Sequence, residues 1–294
     1  MKIHLIDGTY ELFRNFFGAP PKKAPDGHEV GATLGLLMSL YALLGTPGVT
    51  HVACAFDHVI ESFRNNLFPG YKTGAGVDPT LMAQFPLAEE AVSALGVVVW
   101  PMVEFEADDA LATATARFKN KNGVEQIIIC SPDKDLAQLV SGKKIVCWDR
   151  RRDIILDEPG VLEKFGVRPH SIPDWLALVG DSADGYPGIP GWGAKSTSAV
   201  LSRYEHIEKI PDDPGKWKVK SISPGRAVSL AKNLSTRWDE ALLYRQLSTL
   251  REDVPIKEKV SDLKWQGAWE KLKEVCHKLG NENIPKRISR WRSS

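Results

Sequence analysis

Nine carboxylates stand after predicted strands, where a strand hands over to a helix, or as a close pair between two glycines. Asp7 follows the apolar run Ile3 to Ile6, Asp57 follows Val52 to Phe56, and Asp133 and Asp135 follow Ile127 to Cys130. Glu106, Asp108 and Asp109 lie where a strand hands over to a helix, and Asp181 and Asp184 fall at i and i+3 in Gly180-Asp-Ser-Ala-Asp-Gly185. Taken singly, each acid is more often a helix cap or turn residue than a catalyst. Gathered at one edge, however, carboxylates repel and raise each other's pKa unless a cation neutralises them. Oxygen-only ligation favours Mg²⁺ or Mn²⁺ over zinc, and no His or Cys of the chain has zinc-ligand spacing. Two such ions about 3.5 to 4 Å apart stabilise the attacking and leaving oxygens of an in-line phosphoryl displacement. Phosphodiester hydrolysis is the chemistry these residues imply.

Gathering acids so far apart in sequence requires a scaffold. Short β-branched runs, Lys2 to Ile6, His51 to Phe56, Val97 to Trp100, Gln126 to Cys130 and Lys144 to Cys147, read as buried strands. Between them, apolar residues at three- and four-residue spacing predict helices over Val30 to Leu44, Pro79 to Leu95 and Asp108 to Lys121. The alternation predicts an α/β fold with a mostly parallel sheet, in which ligands sit outside the carboxyl ends of the strands, where these acids lie. After Gly166-Val-Arg-Pro-His-Ser-Ile-Pro173 strand signals stop and helical pattern takes over, so two domains are expected, 1–168 and 169–294. Helices are predicted over Asp174 to Val179, Lys195 to Tyr204, Arg226 to Asn233, Arg237 to Leu247 and Gly267 to Leu279.

Charge divides the chain in the same sense. Residues 1–184 carry 17 Lys and Arg against 24 Asp and Glu, whereas residues 185–294 carry 21 against 13. An acidic front and a basic back suit a metal site beside a phosphate-binding surface, and scattered solvated helix faces are the plainer alternative. The four cysteines (Cys54, Cys130, Cys147 and Cys276) show no close pairing. With no apolar signal core at the start and no long apolar stretch, the chain is expected to be cytoplasmic, with no membrane segment.

With these residues in view, the chain resembles the 5′ nuclease family, which comprises the 5′-to-3′ exonuclease domain of bacterial DNA polymerase I, phage 5′ exonucleases and flap endonucleases. The likeness rests on an ordered series: Leu5-Ile-Asp-Gly8, Phe56-Asp57, Ser62-Phe-Arg64, Tyr71-Lys72, Glu106-Ala-Asp-Asp109, Asp133-Lys-Asp-Leu136, Gly180-Asp-x-x-Asp184 and Pro187-Gly-Ile-Pro-Gly-Trp-Gly-Ala-Lys195. It implies a PIN-like core with a helical arch over about 70–96. A C-terminal helix-three-turn-helix domain would carry a helix-hairpin-helix-type motif at about 186–204. All nine acids, Asp7, Asp57, Glu106, Asp108, Asp109, Asp133, Asp135, Asp181 and Asp184, would form a two-metal site for Mg²⁺, with Mn²⁺ as a substitute. Lys72, Arg64 and Arg14 would approach the cleaved strand, and Lys72 would meet the scissile phosphate. Gly188, Ile189, Gly191, Trp192, Gly193 and Lys195 would form the duplex-binding hairpin, where backbone amides and a helix start favour phosphate and backbone carbonyls can hold K⁺. The implied partner is DNA with 5′ ends, flaps or single-to-double-strand junctions, bound by a monomer.

The chain also departs from that pattern. Ala75 stands where relatives carry Arg, Gly185 where Asn is common, and no Lys or Arg occurs between Lys72 and Arg117. Arg14 and Arg64 fit surface salt bridges equally well. Lys134 either serves the site or is solvated, and the tail from Lys286 to Arg292 either grips phosphate or is a free basic end. Two competing functions stay open: a PIN-type ribonuclease, and a weakly active or non-catalytic junction-binding protein. Nucleotide binding is disfavoured, because no GxGxxG or GxxxxGK[ST] follows a strand.

Overall fold

The apolar runs form strands in the computed structural model, which describes residues 1–292. The chain packs as two units. Unit 1 holds Met1–Ile60, Gly74–Ser131 and the chain from Glu252 onward; unit 2 holds Glu61–Thr73 and Pro132–Arg251. These units cut across a division at 168/169: residues 61–73 and 132–168 belong to unit 2, and the chain from Glu252 packs back into unit 1.

Unit 1 contains β1 (Lys2–Asp7), β2 (His51–Asp57), β3 (Val98–Met102) and β4 (Gln126–Cys130), ordered β3-β2-β1-β4 and mutually parallel. Leu5 pairs in register with Ala53 on one side and with Ile129 on the other. All seven residues of β2 are buried, as expected of a parallel strand covered on both faces. The helix Ala107–Phe118 packs on β1, β2 and β3, and the helix Gly8–Gly18 packs on β2. The strand order reverses between β1 and β4, the kind of switch point where open α/β sheets bind ligands.

The helix predicted over Pro79 to Leu95 divides into Pro79–Met82 and Phe85–Ala94, the second carrying Pro86 in its first turn, where a missing N–H costs nothing. Leu81, Phe85, Ala88, Ala91 and Val92 are buried. Within unit 1, the stretch expected to belong to an arch over 70–96 packs against the core from Leu81 through these two short helices, and Trp269 N–H donates to Ala94 O at 2.9 Å. The returning chain is held by Trp265, whose N donates to Thr50 O and whose Nε1 donates to Leu95 O, both at 2.8 Å.

Unit 2 contains an antiparallel pair, β5 (Ile145–Asp149) and β6 (Ile154–Leu156), and its other elements are helical. Its α-helices are Phe63–Leu67, Glu158–Phe165, Ile172–Val179, Ala194–Tyr204, Pro224–Thr236 and Trp238–Ser248. The central helix Ile172–Val179 buries Leu176, Ala177 and Leu178 against Ala194–Tyr204 and Trp238–Ser248. Its buried Asp174 is satisfied by His206 Nδ1 at 2.9 Å, Ile207 N at 3.1 Å and Arg245 at 3.2 Å.

Candidate metal centre and nucleic-acid interface

In unit 1, Asp7 ends β1 and Asp57 ends β2, and both are buried. Asp7 caps the following helix by accepting from Tyr10 N at 2.8 Å, while its second oxygen accepts from Ser131 Oγ, also at 2.8 Å, just past β4. Asp57 Oδ1 accepts from Ala107 N at 2.7 Å, which ties the end of β2 to the start of the helix Ala107–Phe118. Asp109 Oδ2 accepts from Glu106 N at 3.0 Å; Glu106 and Asp109 are buried and Asp108 is half-buried. The modest reading of Asp7 as a helix cap is thus correct, and it coexists with the strand-end placement. Gly8 makes the turn possible, since a Cβ there would lie 2.6 Å from the Phe56 ring and 2.7 Å from Ala55 O.

Unit 2 brings three acids to one point. Asp135, Asp181 and Asp184 each offer a carboxylate oxygen, all within 4.8 Å of one another. The helix Ile172–Val179 stops at Gly180, whose φ of +88° and approach to Pro187 exclude a side chain. Asp181 then pairs with Tyr186 through two backbone hydrogen bonds of 2.8 and 3.0 Å, and this closed loop presents Asp184. Gly185 has φ +86° and a virtual Cβ 2.2 Å from Gly70 O, which explains glycine here: the left-handed backbone admits Asn or Gly, and the neighbouring carbonyl leaves room for Gly. Asp133 accepts from Asp135 N at 2.9 Å and so orients the first acid of the group.

The electrostatics of this group call for a cation. Burial, then the charges of Asp133, Asp184 and Asp181, push Asp135 well above the usual carboxylate range, with Lys134 opposing. Asp135 Oδ1 is buried with no hydrogen-bond partner. An oxygen-only set with an orphaned oxygen fits a hard divalent cation. Lys134 Nζ lies 2.6 Å from Asp181 Oδ2 and Lys72 Nζ lies 3.5 Å from Asp184 Oδ1. Tyr186, which the sequence did not single out, is raised by burial and by Asp135, Asp184 and Asp181, so its phenol stays protonated beside the acids.

Arg64 lies in the interior of unit 2. It is 1% exposed, and it donates from Nε to Leu247 O at 2.7 Å and from Nη2 to Thr249 O at 3.2 Å. It satisfies carbonyls at the end of the helix Trp238–Ser248, which suits a cation at a helix C-terminus. Arg14, in unit 1, is ion-paired with the buried Glu11 and lies 3.3 Å from Ser39 Oγ, the salt-bridge alternative.

The structure divides the residues of the expected hairpin between interior and surface. Gly188 is buried, and so are the side chains of Ile189 and Trp192. Trp192 Nε1 donates to Leu230 O at 3.1 Å, and Ile189 N donates to Leu178 O at 2.9 Å. These residues anchor the hairpin, and Gly191, Gly193 and Lys195 are exposed at its edge. A groove of about 630 Å³ opens there, lined by Gly193, Lys195, Ser196, Ser221 and Arg226. The helix Ala194–Tyr204 begins at this groove with no side-chain cap on its first turn, and Lys195 and Arg226 line the same groove. Arg226, also missed in the sequence, donates to Gly191 O, and Asn233 Nδ2 donates to Pro190 O at 2.7 Å.

Residues 2–166 match the family described as 5′-3′ exonuclease, N-terminal resolvase-like domain, and residues 167–271 match 5′-3′ exonuclease, C-terminal SAM fold. A 5′-3′ exonuclease of Aquifex aeolicus (strain VF5) is 30% identical over 289 residues, covering 96% of this chain and 99% of that protein. The chain belongs to the 5′-3′ exonuclease family. DNA polymerase I of Bacillus subtilis (strain 168) is 33% identical over 270 residues, covering 90% of this 5′-3′ exonuclease family member, which spans 30% of the polymerase's length. The bacteriophage T5 D15 flap endonuclease, solved as a pseudo-enzyme-product complex with DNA and metal ions, shares the fold with a TM-score of 0.65 at 16% identity, over 97% of this chain and 96% of that one. For the exonuclease family member described here, no helix among the described residues is long and apolar enough to cross a membrane.

Proposed function

We propose that the chain is a 5′-3′ exodeoxyribonuclease and structure-specific 5′ flap endonuclease that hydrolyses DNA phosphodiesters with two divalent ions, Mg²⁺ by preference and Mn²⁺ as a substitute. The observation that carries this is the buried Asp135, Asp181 and Asp184 group with its orphaned oxygen, in the same unit as an exposed cationic groove at a helix start. Asp7, Asp57, Glu106, Asp108 and Asp109 supply the ligands of unit 1; Asp133, Asp135, Asp181 and Asp184 supply those of unit 2. Such ions, when bound, polarise a phosphoryl oxygen and acidify water. The chain's own part is to orient the acids, through Ser131, Tyr10, Ala107 and the Asp133 turn. Lys72, with its Nζ near Asp184, stabilises charge developing on the phosphate.

Gly193, Lys195 and Arg226 hold duplex phosphates without reading sequence. K⁺ at the hairpin would have to share carbonyls that Arg226 and Asn233 already engage. The protein acts as a monomer in the cytoplasm, a placement supported by four buried free cysteines. Incubation with a 5′-flap substrate and Mg²⁺ tests the proposal. Metal-dependent release of the flap is expected, with loss of about 10²-fold or more for Asp135→Ala; absence of product, or an unaffected Asp135→Ala, would sink it. Preference for single-stranded RNA would instead establish the ribonuclease. The absence of Lys and Arg from 73 to 116 favours one second reading, a weakly active junction binder, recognised by tight junction binding in Mg²⁺ without cleavage.

A further inference from the structure

Lys134 is the group beside the acids of unit 2 that the nuclease reading leaves without a part. It stands between Asp133 and Asp135, yet its half-buried side chain folds onto Asp181, Nζ to Oδ2 2.6 Å. Burial works against an ammonium here, but the bond to Asp181 and the charges of Asp181, Asp135 and Asp133 outweigh it and hold Lys134 above its ordinary value. A lysine without a part would carry its charge out to water on its four-carbon stem, as lysines at apolar surfaces do. The other Asp181 oxygen accepts from Ala183 N at 3.0 Å, which fixes the carboxylate so that the ammonium meets Oδ2. Oδ2 therefore faces a cation that belongs to the chain.

We propose that Lys134 is an internal counter-ion of the Asp135, Asp181 and Asp184 group, which a divalent cation has to displace from Asp181, so that this lysine sets the metal concentration at which the group fills. The inference rests on the metal-dependent nuclease reading. A contact present in the metal-free protein and absent from the loaded one weakens metal binding by its own free energy, because the two equilibria are linked. Lys134 thereby keeps the acids together while no metal is bound and opposes the metal that replaces it.

The test needs no DNA: Mn²⁺ affinity by electron paramagnetic resonance, and melting temperature in EDTA, for the wild type, Lys134→Met and Lys134→Arg. Lys134→Met is expected to bind Mn²⁺ about tenfold more tightly, as couplings of this kind commonly give. It should also melt lower in EDTA, with the gap closing at saturating Mn²⁺, while Lys134→Arg, which keeps the cation, stays near wild type in both. Unchanged or weaker Mn²⁺ affinity in Lys134→Met would overturn the proposal while leaving the nuclease reading intact, provided the wild type cleaves a flap. A wild type that binds no Mn²⁺ would overturn both.

Discussion

The two acid sets solve the same electrostatic problem in opposite ways. In unit 1, Asp7, Asp57 and Asp109 accept hydrogen bonds from Tyr10 N, Ser131 Oγ, Ala107 N and Glu106 N, so backbone and hydroxyl donors stabilise buried charge directly. In unit 2, Asp135 has an oxygen with no donor at all, and its neighbours are other carboxylates relieved by lysine side chains. The first arrangement is satisfied by the fold, and the second is held together by the fold against repulsion. Removing an acid from each set should therefore harm activity alike but shift stability in opposite directions.

The largest expected effect is on cleavage. Asp57→Ala and Asp135→Asn should each reduce flap cleavage by about 10²-fold or more, as removal of a group that stabilises transition-state charge commonly does. Melting in EDTA separates them. Asp57→Ala strips a partner from Ala107 N and should cost about 1–3 kcal/mol. Asp135→Asn removes a repelled charge and should raise the metal-free melting temperature, the pattern of a site where function opposes stability. Destabilisation by Asp135→Asn in EDTA would break the comparison.

Next in size are the glycines that follow an acid in each set. Gly185→Ala puts a Cβ 2.2 Å from Gly70 O on a backbone with φ +86°, and neither obstacle is a movable side chain. A loss of about 2–4 kcal/mol is expected from strain and overpacking together. Gly8→Ala meets the Phe56 ring at 2.6 Å, which can shift, and Ala55 O at 2.7 Å, which is backbone. It should cost about 1–3 kcal/mol, the ordinary range for overpacking. Denaturant unfolding measures both, and equal losses would show that the left-handed backbone at Gly185 adds nothing.

Much of this was visible in the sequence because it is local. An apolar run ending in Asp-Gly, as at Asp7, encodes a strand, a cap and a tight turn within a few residues. Gly180, Gly185 and Gly188 announce a loop whose backbone other residues cannot follow. Long-range pairing was not visible. Arg64 resembles any surface arginine until the chain brings Leu247 O, 183 residues away, onto its guanidinium. Trp192 reads only as part of a duplex-binding hairpin, because nothing nearby in the sequence indicates that its indole N–H bonds to Leu230 O. The return of the chain from Glu252 to unit 1 depends on Trp265 reaching Thr50 and Leu95, a pairing that periodicity does not encode. The site acids were legible for what they are, whereas their satisfaction by donors or by lysines belongs to the packed state.

The smallest expected effect is the dependence of stability on pH, and it discriminates between the sets most directly. Burial and then Asp133, Asp184 and Asp181 raise Asp135 well above its ordinary value, so the folded protein binds its proton more tightly than the unfolded chain does. Such a group favours folding fully below the unfolded pKa of about 3.9, and that contribution is lost as pH rises from there through the folded pKa. In EDTA, the wild type should therefore lose stability relative to Asp135→Asn as pH increases above about 4. With Mg²⁺ present the sign reverses, because ligation requires the deprotonated carboxylate and strengthens as protons leave. Melting curves over this range, with and without Mg²⁺, should diverge for the wild type and remain nearly parallel for Asp135→Asn. Parallel curves for the wild type would mean that Asp135 finds a donor in solution, and unit 2 would then be as well satisfied without metal as unit 1.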